Sequence, residues 1–210
     1  GYGQTVVADG TAYGIRAWVD HAVRTLDALG IEKTWLVGNS LGGWLAFQMV
    51  LDYPERVLGI VSMGTGGAKQ TAALKAHANP VLTEEGIKNT LSMFVVDKSL
   101  ITDELVKVRY EAAKNDYASD RLMDVVGARD RDRFEFPLDF EKMKDIQVPV
   151  LLIHGVQDVV IPVSRTWDIL NTVPFADAHI FSQCGHWSQV EKAEEFNTVI
   201  KDYLTARGVK

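Results

Sequence analysis

Residues 12–29 carry the first periodic pattern: Ile15, Trp18, Val19, Ala22, Leu26 and Leu29 recur at helical spacing and form one apolar stripe. Gly30 follows where a helix C-terminal glycine belongs. Thr34-Trp35-Leu36-Val37 is a short β-prone run that stops at Gly38. Residues 41–51 return to a helical pattern, which Tyr53-Pro54 closes, because the residue before a proline avoids the helical region. Residues 57–63 are apolar and β-branched, and lead into Gly64-Thr65-Gly66-Gly67. Helix, strand, helix, strand in that order predicts crossover units of a parallel sheet.

Residues 68–136 break the alternation. No strand pattern is found there, and 84–94, 103–114 and 120–126 read as short amphipathic helices, with Thr102 or Asp103 to cap the second. The stretch ends in Arg129-Asp130-Arg131-Asp132-Arg133, a charge run that reads as a solvated face. Alternation then resumes: a buried-strand pattern at 148–154 with Pro149 at its start, a helix at 163–170, a short strand at 178–181 and an amphipathic helix at 193–204. The expected fold class is α/β, a mostly parallel sheet with a helical cap insertion. The core takes residues 1–67 and 137–210, and the cap takes 68–136.

Gly38-Asn39-Ser40-Leu41-Gly42 is a G-x-S-x-G set between a predicted strand and a predicted helix, and that context gives the pentapeptide its meaning. The turn needs small residues on both sides, because its serine sits in a strained conformation. It lifts the Ser40 hydroxyl off the end of the sheet and places it at a helix N-terminus, where the dipole favours negative charge. A serine needs a base. Of the five histidines, His21 lies in the first helix and His77 in the insertion, while His154 ends a strand and His179 begins one, positions that suit structural roles. His186, in Cys184-Gly185-His186-Trp187, lies in a loop between the last strand and the last helix, from which a base reaches the end of the sheet. Asp158 follows the third strand and is the candidate orienting carboxylate; Asp130, Asp132 and Asp139 follow no strand end. The chain order Ser40, Asp158, His186 is that of an α/β-hydrolase triad. The N–H of Leu41 is the one recognisable oxyanion donor.

Composition narrows the class. The 210 residues, 47% hydrophobic and 24% charged, suit one domain or one domain with a large insertion. A net charge of -6 argues against nucleic acid or an anionic membrane as the main partner. The single cysteine, Cys184, excludes an internal disulfide and a cysteine-cluster metal site, and it suits a reducing cytoplasm. No apolar run approaches the ~20 residues of a membrane span, and no signal peptide is visible. No cofactor or metal is implied.

The chain resembles α/β-hydrolases with a helical cap, and more narrowly the meta-cleavage product hydrolases, which cut a carbon–carbon bond in ring-fission products of aromatic compounds. Besides the serine turn, the resemblance rests on Ser62-Met63-Gly64-Thr65-Gly66-Gly67, on Asp97-Lys98-Ser99-Leu100-Ile101-Thr102-Asp103-Glu104-Leu105 leading to Arg109, and on Cys184-Gly185-His186-Trp187-Ser188-Gln189-Val190-Glu191. It implies that Asn39 and Trp187 line the substrate pocket and that Arg109, in the cap, holds the carboxylate of a dienoate substrate. A guanidinium fork suits that task. Haloalkane dehalogenases and epoxide hydrolases normally carry aspartate where this chain has Ser40.

The resemblance also implies about four strands ahead of Gly1-Tyr2-Gly3-Gln4-Thr5, together with a loop that donates a second oxyanion hydrogen bond. The expectation is therefore an N-terminally incomplete fold, with strand 34–37 left as an open edge unless a further segment, a partner or a second copy completes the sheet. Three functions compete on the sequence. The first is a serine hydrolase of dienoate C–C bonds. The second is a carboxylesterase with the same triad, which has no use for Arg109. The third is a fragment inactive without its front.

Overall fold

Apolar residues two apart along each strand build a core on both faces of a sheet. The computed structural model describes residues 8, 10–67, 82–117 and 121–209, without the side chains of 115–117 and 121–123. The chain runs through α1 (Ile15–Ala28), β1 (Thr34–Asn39), α2 (Leu41–Asp52) and β2 (Val57–Met63), then α3 (Glu84–Ser92), α4 (Asp103–Tyr117), α5 (Arg121–Glu135) and α6 (Phe140–Met143). It continues through β3 (Val150–Gly155), α7 (Ser164–Leu170), β4 (Ala176–Phe181), α8 (Ser188–Glu191) and α9 (Ala193–Thr205). The four strands pair in parallel in the order β1-β2-β3-β4.

Ile60, Val150 and Leu152 point to one face, where Ile15, Val19, Trp44 and Phe47 of α1 and α2 and Ile169 of α7 cover them. Val61, Met63, Leu151 and Ile153 point to the other face and meet Phe196 of α9. All six residues of β3 are buried, the pattern of a strand covered on both sides. β1 has β2 as its partner among the described residues, and its Val37 is 56% exposed.

The predicted elements are present, with shifts at their ends. Thr102 rather than Asp103 caps α4, through Leu105 N–H. The largest difference is α5. The pattern predicts a helix over 120–126, yet α5 continues through the charge run to Glu135. Nor is that run a solvated face. Val125, Ala128 and Asp132 are buried at helical spacing, with Asp132 only 2% exposed. Asp132 Oδ2 accepts the N–H of Ile15 at 2.5 Å and so caps α1, while Arg131 bonds both Asp132 and the Tyr13 carbonyl. Composition masked this, because a charge that caps a distant helix looks the same in sequence as one that faces water.

Between β2 and β3, α3 and α4 share a small core of Ile87, Leu91, Val95, Ile101 and Val106, against which Phe94 and Trp187 pack. The glycine-rich start at residues 1–5 and His77 lie outside the described residues.

Candidate active site

Ser40 links the last residue of β1 to the first of α2 and adopts φ 55° and ψ -111°, a conformation non-glycine residues rarely take. Three backbone bonds hold it there: Ser40 N–H to Met63 O, and Trp44 N–H and Gly66 N–H to Ser40 O, at 2.8, 3.1 and 2.8 Å. The glycine requirement differs from the simple pattern. A Cβ at Gly38 would lie 2.3 Å from the Gly42 backbone, and one at Gly43 would lie 2.3 Å from Ser62 Oγ, whereas one at Gly42 would meet nothing within 4 Å. Close approach of strand to helix thus demands Gly38, whereas a side chain at Gly43 would push the Ser62 hydroxyl away from Thr65. Leu41, as the first residue of α2, has an N–H with no acceptor inside the helix.

β3 ends at Gly155, and a tight turn, Asp158 N–H to Gly155 O, brings Asp158 beneath the loop that follows β4. Asp158 Oδ2 receives His186 Nδ1 at 2.7 Å and His154 Nε2 at 3.1 Å; Oδ1 receives the N–H groups of Val160 and Ile161 at 2.8 and 2.9 Å. Burial alone would raise the pKa of this carboxyl. The bonds from His154 and His186, the His186 charge and the Ile161 N–H outweigh it and bring the value down to about 2. An ionised Asp158 makes Nδ1 of His186 the protonated nitrogen and leaves Nε2 as the basic one. His154 is held in turn, its Nε2 also 2.9 Å from the Ile161 carbonyl and its Nδ1 2.7 Å from Thr166 Oγ1.

Asn39, Ser40, Leu41, His186 and Trp187 all line one cavity of ≈ 160 Å³. A water needs only about 10–15 Å³ on this measure, so the space admits an organic group. Asn39 Nδ2 also ties Met63 O to His186 O, at 3.2 and 3.3 Å, joining the serine and histidine segments. Trp187 stacks on Phe94 with ring centroids 4.9 Å apart. Arg109 is exposed, its guanidinium 5.9 Å from the centroid of the Trp187 ring, and it is not part of the cavity lining. Arg129 and Arg133 of α5, one helical turn apart, do line it. Cys184 is buried, and burial pushes its thiol up to about 12, which removes it as a nucleophile.

Three groups bear on the site without a sequence signal that marks them. His154 reads as structural, and only the Asp158 contact shows its bearing on the site. Arg129 and Arg133 were hidden in the charge run. Glu191 accepts Gly185 N–H on one oxygen, at 2.5 Å, and Val96 and Asp97 N–H on the other, at 2.6 and 3.1 Å, tying the His186 loop to the segment after α3.

A strand–serine–helix elbow, with an aspartate after β3 and a histidine after β4, defines an α/β hydrolase. The α/β hydrolase fold family matches residues 1–193, and this chain belongs to it: the protein is a hydrolase. Within that family it is similar to the 2-hydroxymuconate semialdehyde hydrolase of Pseudomonas sp. (strain CF600), with 35% identity over 97% of this chain and 73% of that one. It is also 35% identical to the 2-hydroxy-6-oxononadienedioate/2-hydroxy-6-oxononatrienedioate hydrolase of Burkholderia vietnamiensis (strain G4 / LMG 22486), again over 97% and 73% of the two chains. Among solved structures, a meta-cleavage product hydrolase from Pseudomonas fluorescens IP01 superposes with a TM-score of 0.88 at 32% identity, covering 98% of this chain and 76% of that one. The chain thus spans about three quarters of the length of these relatives. No helix among the described residues is long and apolar enough to cross a membrane.

Proposed function

We propose that this enzyme hydrolyses the C–C bond beside the 6-oxo group of 2-hydroxy-6-oxo-dienoate ring-fission products, through Ser40, His186 and Asp158. The observation that carries this reading is that Ser40 and His186 share one cavity while Asp158 fixes the His186 tautomer from behind. In this mechanism the dienol first becomes its keto tautomer by proton transfer to C5. His186 Nε2 then takes the Ser40 proton as Oγ adds to the C6 carbonyl, and the Leu41 N–H donates to the resulting oxyanion. The C5–C6 bond breaks, its electron pair passing to the 2-keto acid half as an enolate, which the His186 proton quenches. Water, deprotonated by His186, releases the acyl group from Ser40. Asn39 and Trp187 wall the substrate, and Arg109, beside Trp187, holds the dienoate carboxylate. Residues 68–136 act as the cap over the core formed by 1–67 and 137–210. The names of the relatives support the substrate class, since several act on 2-hydroxy-6-oxo-dienoates or their dioates.

The test is steady-state hydrolysis of a 2-hydroxy-6-oxo-dienoate beside a neutral aryl ester, in the wild type and in Arg109→Ala. Loss of the charge-assisted pair should raise KM for the dienoate about ten- to a hundred-fold and leave the ester nearly unaffected. Turnover of the ester alone would favour a carboxylesterase.

A further inference from the structure

Arg129 and Arg133 are the unexplained feature of the cavity. They sit one turn apart on α5 and project into the same space as Ser40. Their side chains are only 15% and 10% exposed, and both bond a single oxygen, Asp130 Oδ1, at 3.2 and 3.1 Å. Among the described residues two guanidiniums thus share one carboxylate, which leaves one surplus positive charge at the cavity wall. Burial draws the Arg133 pKa down and the Arg129 charge draws it further, while Asp130 offsets part of the effect. Burying an uncompensated charge is costly, and it persists where a function uses it. Docking of α5 does not need the pair, because Asp132 and Arg131 already fasten this helix to the start of α1. The rest of the lining includes Trp44, Phe94, Val160 and Ile161, apolar groups among which an ionic hydrogen bond is strengthened.

Resting on the function proposed above, we propose that Arg129 and Arg133 form a second carboxylate subsite, so that the preferred substrates are dienedioates whose acyl half ends in its own carboxylate. The dienoate carboxylate belongs to Arg109 beside Trp187, and the pair on α5 takes the opposite end of the molecule. After cleavage of a nine-carbon dioate, this half leaves as succinate. The subsite does not alter the chemistry at Ser40; it selects which acyl half is presented to it.

The test compares two probes that differ only at the tail: 2-hydroxy-6-oxonona-2,4-dienedioate and 2-hydroxy-6-oxonona-2,4-dienoate. Both carry the dienoate carboxylate, so contributions from Arg109 cancel in the ratio. The ratio is measured as kcat/KM in the active enzyme, and as Kd by calorimetry in Ser40→Ala, where no turnover is needed. The dioate should be favoured about ten- to a hundred-fold. Arg129→Gln with Arg133→Gln should bring the ratio near one, Arg129→Gln alone should lower it, and the double lysine variant should keep part of it. Thermal melts of each variant separate misfolding from lost recognition, and the single Arg129→Gln, at the more exposed of the two positions, keeps the test open if the double variant does not fold. A ratio near one in the wild type overturns the subsite while leaving C–C hydrolysis standing. Equal losses on both probes in Arg129→Gln overturn it as well, since the pair would then hold the shared carboxylate. A dioate preference in Ser40→Ala binding, without turnover of either probe by the wild type, upholds the subsite and rejects the proposed reaction.

Discussion

His154 and His186 donate to the same oxygen of Asp158, from 3.1 and 2.7 Å, although one lies at the end of β3 and the other in the loop after β4. The carboxylate is therefore held by two imidazoles and two backbone N–H groups, in a pocket where its side chain is fully buried. Such saturation makes the ionised form part of the fold as well as of the site.

That relationship sets a pH dependence. The folded pKa, about 2, lies below the ordinary 3.8, so the stabilisation is fully present only well above 3.8 and is lost as pH falls through the interval down to about 2. The shift corresponds to about 2 kcal/mol, of which roughly half is gone by pH 3. Denaturant unfolding of the wild type and Asp158→Asn at pH 6 and pH 3 should show the gap between them narrowing by about 1 kcal/mol. A constant gap would mean that Asp158 ionises alike in the folded and unfolded chain.

Ser40→Ala and His186→Ala should each lower kcat by about a thousand-fold or more, and the double variant should be little worse than either, because residues acting as a unit are not additive. Retention of a tenth of the activity by Ser40→Ala would remove it as the nucleophile.

Glu191 offers a test of how the insertion is held. It accepts three backbone N–H groups, from Gly185, Val96 and Asp97. Glu191→Gln keeps the shape but turns charge-assisted bonds into weaker ones, and replaces one acceptor oxygen with an NH₂ that cannot accept. A loss of about 2 kcal/mol in denaturant unfolding is expected, together with a lower kcat as the His186 loop loosens. A change below about 0.5 kcal/mol would assign the tie to the Trp187 N–H to Phe94 O bond and the Phe94–Trp187 stack instead.

The alternation of short apolar runs with periodic segments exposed the parallel sheet, because strands covered on both faces leave a signature of their own. The Ser40 elbow, Asp158 and His186 were legible for a related reason: each follows a strand end, and strand ends are readable. Arg129, Asp132 and Arg133 were not. Their contacts with the Ser40 cavity and with Ile15 join segments about a hundred residues apart, and charge density alone argued for solvent. His154 lies near the end of β3, where the apolar pattern puts it, yet its role depends on a turn that folds Asp158 back beneath it. Periodicity reports which face of an element is apolar; it does not report which buried polar group meets another.

The two glycines of Gly38-Asn39-Ser40-Leu41-Gly42 should respond in opposite ways to alanine. At Gly38 the added Cβ would lie 2.3 Å from both the carbonyl carbon and the oxygen of Gly42, and backbone atoms at the start of a helix cannot swing aside as a side chain tip can. Relief requires separating β1 from α2, which disturbs the Ser40 conformation and the packing of Trp44 and Phe47 behind it. Gly38→Ala should therefore cost about 3 kcal/mol or more, at the high end of single substitutions, and abolish turnover with it. At Gly42 the Cβ meets nothing within 4 Å, and the residue sits inside α2 without a positive φ. Alanine there removes the conformational entropy that glycine costs a helix, so Gly42→Ala should be neutral or stabilising by up to about 1 kcal/mol. Thermal melts of the two variants decide the matter: equal destabilisation would mean that the elbow depends on the glycine pattern as a unit rather than on the approach of Gly38 to Gly42.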